Sequence, residues 1–147
     1  MGGKIMRNLL AMVVIMGLVG LVIGCGGKYA DVIEVNQAYV QLLSDYIEAV
    51  DKVENAADAA AAINGLADGM EELTPKMKAM SEKYPNLQDA EDLPEALQKT
   101  NEEMNRVSED FGSTFMKLMP YMSDAKVQKA QNRLSNVMCT MGRQMMQ

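Results

Sequence analysis

Residues 63–87, INGLADGMEELTPKMKAMSEKYPNL, carry Ile63, Leu66, Met70, Leu73, Met77, Met80, Tyr84 and Leu87 at spacings of 3, 4, 3, 4, 3, 4 and 3. That is a heptad seam sustained over more than three repeats, the mark of a helix that buries one stripe against other helices. Thr74-Pro75 interrupts it, and a proline inside a helix removes one hydrogen bond and clashes with the preceding turn. The phase runs through unshifted, so the expectation is one kinked helix from about Asp58 to Lys83, with a break capped by Thr74 as the alternative. Tyr84-Pro85 ends it, because the residue before a proline avoids the helical region.

Upstream, Val32, Val35, Tyr39, Leu42, Tyr46, Val50 and Val53 recur in steps of three and four, which predicts a helix from about Lys28 to Glu54. Leu43 and Ile47 widen its stripe toward two neighbours. The turn is expected over Asn55–Ala57, against the competing reading that Ala59–Ala62 carries helix straight through. Downstream, Asn86 to Asp92 is a polar connection. Asp92–Glu95 resembles a capping box with Pro94 in the first turn.

A third helix presents Leu97, Met104, Val107, Phe111, Phe115, Leu118 and Met122 on one face until Pro120 ends or kinks it. Ser123 or Asp124 caps a fourth, whose stripe is Val127, Ala130, Leu134, Val137, Met141 and Met145. Glu48–Lys52, Glu72–Lys76, Glu95–Lys99 and Glu102–Arg106 place the acid four residues before the base, each worth about 0.2–0.5 kcal/mol in a helix. No segment reads as a strand. Short connections make sequential helices antiparallel, so the expected fold is all-α, an antiparallel up-down four-helix bundle. The alternative is a three-helix bundle with a loosely docked fourth helix.

The first 25 residues have a different character. Lys4 and Arg7 precede an apolar run from Leu9 to Ile23, which reads as a secretory signal peptide and is short of the ~20 residues a spanning helix needs. The run closes on Leu21-Val22-Ile23-Gly24-Cys25, whose last four residues resemble the lipobox of bacterial lipoproteins. The resemblance implies cleavage before Cys25, a diacylglyceryl group on its thiol, and a body lying outside the cytoplasm. Residues 1–24 would be signal peptide, 25–27 lipidated cysteine and tether, and 28–147 a single helical domain. Gly26, where an Asp would favour inner-membrane retention in enterobacterial lipoproteins, points by the same resemblance to the outer membrane. The alternative is an uncleaved inner-membrane anchor.

All 20 acidic residues follow Cys25, against 12 of the 14 basic ones, so the body carries a charge of 12 − 20 = −8. Such a body is repelled by nucleic acid and anionic headgroups. There is no histidine, which removes imidazole acid–base catalysis, imidazole zinc sites, and the Glu-x-x-His pairs of di-iron bundles. Glu71-Glu72 and Glu102-Glu103 read as solvated helix face. Gly65-x-x-x-Gly69 reads as close packing in water or plain tolerance. With Cys25 lipidated, Cys139 is a lone thiol, and its position off the apolar stripe predicts exposure.

Methionine is abundant, with 15 in the chain. Met70, Met77, Met80, Met104, Met141 and Met145 fall on seam positions, where thioethers fill irregular gaps. Met77, Met80, Met138, Met141, Met145 and Cys139 are also expected at one end of an antiparallel bundle, where soft sulfur ligands suit Cu(I). These readings imply no catalytic, cofactor or metal residue, and Cys25 as the lipid-attachment site. The expected function is a non-enzymatic, lipid-anchored envelope protein acting as a protein-interaction or structural module. Its partners are the membrane, through the lipid, and another protein. The alternative is a Met-lined carrier or sensor of an apolar ligand or soft metal such as Cu(I).

Overall fold

The computed structural model describes residues 27–87 and 94–145. Four α-helices run through them: α1 (Ala30–Asp51), α2 (Ala56–Lys83), α3 (Glu95–Leu118) and α4 (Ala125–Met145), with 3-10 turns at Pro85–Leu87 and Met119–Tyr121. The lipobox, Cys25 and the acidic part of the α2–α3 connection lie outside the described residues. Asp31–Gln147 forms one compact unit.

α1 is shorter than its periodicity suggests. At its end the Lys52 and Val53 N–H groups bond the Ala49 and Val50 carbonyls, three residues back, which tightens the last turn and stops propagation. Asn55 then stands extended (φ −154°, ψ 172°), and its side chain accepts from the Ala57 and Asp58 N–H groups. Asp58 returns the favour by accepting from the Glu54 N–H and the Asn55 side-chain amide. Two free donors are thereby satisfied at the start of α2. The continuous-helix reading fails here despite the alanine run.

α2 continues through Pro75. Thr74 caps nothing; its hydroxyl donates to the Met70 carbonyl at 2.7 Å, inside the same helix. Tyr84 leaves the helical region (φ −130°, ψ 60°) before Pro85, as expected. Pro94 occupies the position before α3, one residue outside the first turn where it was expected, and makes no side-chain cap. Pro120 ends α3 in a 3-10 turn, and Asp124 caps α4 by accepting from the Lys126 N–H at 2.8 Å.

The helices alternate in direction. Asp31 at the start of α1 pairs with Lys83 at the end of α2, at 2.6 Å. Lys117 at the end of α3 pairs with Asp51 at the end of α1, so these two run the same way. α2 and α4 run parallel to each other: Asn64 neighbours Arg133, which bonds Asp68 and Glu71, and Pro75 neighbours Met141. This is the four-helix up-down bundle.

Among the described residues α2 and α4 make the closest backbone approach. Small side chains permit it, with Ala59, Ala60, Ala67 and Ala130 all buried. Ile63, Leu66, Met70, Val127 and Val137 pack around them, and α1 and α3 close the core with Leu43, Tyr46, Val50 and Leu118. Fully burying a side chain of this size stabilises by about 1.5–3 kcal/mol. The α2 seam is buried from Ile63 to Leu73 and half-buried beyond Pro75, at Met77, Met80 and Tyr84. Met70 alone of the seam methionines is fully buried, so the core is built from Ala, Val, Leu and Ile more than from Met.

The expected inward face of α3 needs correction. Thr114, 2 % exposed, takes the core position, and Phe115 points outward. The buried or half-buried line is Leu97, Thr100, Met104, Val107, Phe111, Thr114 and Leu118, a strict alternation of three and four. Thr114 fits because its hydroxyl donates to the Phe111 carbonyl at 2.7 Å, within its own helix. Of the four helix-face ion pairs expected, Glu48–Lys52 closes. Glu72–Lys76, Glu95–Lys99 and Glu102–Arg106 stay open, as solvated long side chains readily do.

Candidate functional site

Turning Phe115 outward creates the most unusual surface among the described residues. Phe115 is 56 % exposed, Met116 68 % and Met119 51 %, at the end of α3 and in the 3-10 turn that follows. Positions 115, 116 and 119 share one side of a helix. Pro120 in the same turn is exposed too. Three neighbouring large apolar side chains in water form a patch of the kind that marks an interaction site, whereas an isolated one needs no explanation.

The patch is held rigidly. Phe111, one turn before Phe115, lies 5.3 Å from Tyr46 ring to ring, and Thr114 and Leu118 anchor the inner side of the same turns. Lys117, on the opposite flank, is tied to Asp51. Met122 accepts a hydrogen bond from Gln131 of α4 through its sulfur, at 2.7 Å, fixing the connection that follows.

Charge is distributed unevenly around it. α1 has five acidic residues and no basic one, while α4 has four basic residues and no acidic one. Lys126, Lys129 and Arg133 line the side of α4 that faces α2. Asp68, first, and then Glu71 hold the Arg133 guanidinium more firmly protonated than usual. At the other end of the bundle Lys83, and then Tyr84, pull the Asp31 carboxyl below its ordinary range. Burial pushes the Tyr39 and Tyr46 phenols up. These shifted groups belong to ion pairs and packing and converge on no common cleft.

No family model matches the chain, and neither a curated protein nor a solved structure does. The functional reading therefore rests on the chain itself.

A wide groove of about 700 Å³ runs between α2 and α4. Glu71, Pro75, Arg133, Val137, Met141 and Gln144 are among the residues that line it. It is open to solvent and bordered by charged and amide groups, a poor enclosure for an apolar ligand, which is ordinarily held in a pocket burying most of its surface. The parallel run of α2 and α4 does bring their C-terminal ends to one end of the bundle. There Met77, Met80, Met141 and Met145 are half-buried, while Met138 and Cys139 are exposed. Among the described residues no group of three or more acidic or cysteine side chains could hold a metal.

Sequence periodicity missed Phe115, Met116 and Met119 as a surface. The available signal was the spacing 107, 111, 114, 118, which is kept only if a threonine is allowed in the seam.

Proposed function

We propose that the chain is a non-enzymatic, lipid-anchored envelope protein whose helical bundle acts as a protein-interaction module. The observation that carries this reading is the exposed cluster of Phe115, Met116 and Met119 on a helix held rigid from behind. An apolar cluster left in water at a fixed place stabilises nothing in the isolated fold and gives a partner its anchor. It sits at the end of the bundle opposite the start of α1.

The lipobox-like residues support the anchor, and the strongly acidic body suits a surface repelled by anionic headgroups. No helix of the described residues is long and apolar enough to cross a membrane.

Two variants test the reading. Cys25→Ser is expected to leave the body folded and shift it from the membrane to the soluble fraction. Met116→Glu is expected to leave fractionation unchanged and remove neighbours captured by crosslinking in intact cells. Unchanged fractionation of Cys25→Ser, or unchanged neighbours of Met116→Glu, would contradict the corresponding half.

A further inference from the structure

α1 and α4 carry opposite charges on outward faces of the same spacing. On α1, Glu34 and Glu48 stand seven residues either side of Gln41, and on α4, Lys129 and Arg143 stand seven residues either side of Asn136. All six are exposed, and seven residues make nearly two helical turns, so each set shares one side of its helix. α1 contains no basic residue to offset its face, and α4 no acidic one. Among the described residues Glu34, Lys129 and Arg143 enter no ion pair, and Glu48 holds only the neighbouring Lys52.

We infer that the acidic face of α1 docks on the basic face of α4 in a second copy of the chain. Each face is the complement of the other in charge and in spacing, yet the two do not meet within one chain. Ion pairs tie α1 to Lys83 of α2 and Lys117 of α3, and tie α4 to Asp68 and Glu71 of α2. Lys129 and Asn136 also line the open groove beside α2, which gives an incoming helix a seat. Set antiparallel, so that opposite helix-dipole ends lie side by side, Glu34 meets Arg143, Gln41 meets Asn136 and Glu48 meets Lys129.

The acidic excess of the body repels a second copy at long range. Salt screens exposed charges separated by more than about 8 Å at physiological ionic strength, so the pairs at contact decide the fit. The matched stretch, residues 34–48 against residues 129–143, is about 21 Å of helix at 1.5 Å per residue. A contact of that length belongs to the small, transient class. Because it joins two different faces, it repeats from copy to copy and builds a ring or a row.

Zero-length crosslinking tests this on the full chain in a non-ionic detergent. Chain labelled with heavy nitrogen is mixed with unlabelled chain and treated with a carbodiimide, which joins lysine to carboxylate, and heavy–light peptide pairs are mapped by mass spectrometry. The expected link joins Lys129 of one copy to Glu48 of another. Arg143→Glu and Glu34→Arg leave both linked residues in place. Each alone is expected to lower the yield of that link at least about fivefold, and the two combined in one chain to restore it. Circular dichroism checks that the variants keep their helix. Absence of a heavy–light link at Lys129 overturns the inference, as does a link from Lys129 to Glu34 in place of Glu48. A double variant that links no better than the single ones overturns it as well.

Discussion

Leu42 of α1 sits directly on Gly69 of α2: a Cβ at Gly69 would stand 2.9 Å from Leu42 Cδ2 and 3.1 Å from its Cγ, with Cδ1 closer still. The neighbouring Gly65 meets nothing within 4 Å. Two glycines four residues apart on one helix therefore have different jobs. Alanine in place of glycine inside a helix gains about 0.5–1 kcal/mol, so Gly65→Ala is expected to stabilise by that amount. Gly69→Ala forces the end of the half-buried Leu42 side chain to move, a cost that offsets part or all of that gain, so Gly69→Ala is expected to be less stable than Gly65→Ala. Urea denaturation of both variants measures the gap. Equal stabilities would contradict the contact, and adding Leu42→Ala to Gly69→Ala should remove the clash.

The close approach of α2 and α4 depends on the absence of volume at Ala130, which is buried against the alanines of α2. Ala130→Leu is expected to lower stability by about 2 kcal/mol or more, since a well-packed core must shift to admit the added carbons. The same substitution at an exposed position of the helix, Ser135→Leu, should change stability by less than about 0.5 kcal/mol. Thermal melts of the pair check the contrast; equal losses would mean that the two helices do not meet there.

The Asp31–Lys83 pair makes a pH prediction. Its carboxyl is depressed in the folded chain, first by the hydrogen bond from Lys83 and also by that from Tyr84. A depressed carboxyl contributes stability that is present above the unfolded value of 3.8 and is lost as pH falls through the lower folded value. Asp31→Asn removes that contribution. Wild type should therefore lose more stability than Asp31→Asn on going from neutral pH to below 3.8, by thermal melts. Parallel curves would show that the ion pair contributes nothing.

Methionine reactivity should follow exposure. Peroxide converts an accessible thioether to a sulfoxide, so Met116, Met119 and Met138 are expected to oxidise first. Met70 is 3 % exposed and should react only as the chain opens. Peptide mass mapping over a time course checks the order. Early oxidation of Met70 would contradict the described core.

The fold was legible in the sequence because its signals were redundant. The heptads of α2 kept phase across Pro75, proline stopped α3, and Asn55 and Asp124 are side chains that cap helices. The register of α3 was misread because a hydrophobicity rule prefers Phe115 to Thr114. A buried threonine that satisfies its own hydroxyl on the preceding turn competes successfully with a phenylalanine one residue away. The same misreading hid the candidate site, since Phe115 was assigned to the core and its exposed neighbours Met116 and Met119, off the expected stripe, then formed no patch with it. Helix ends shifted by a few residues where hydrogen-bonded turns and caps, which leave no periodic signal, decided the boundary. The glycine pair could not be divided from sequence, because what distinguishes Gly69 is a leucine from another helix.

Intact-mass spectrometry of the full-length gene product purified from its native membrane tests the account most directly. The expected species begins at Cys25 and carries the added mass of a diacylglyceryl group on that residue. A chain that begins at Met1 with an unmodified Cys25 would contradict the anchor.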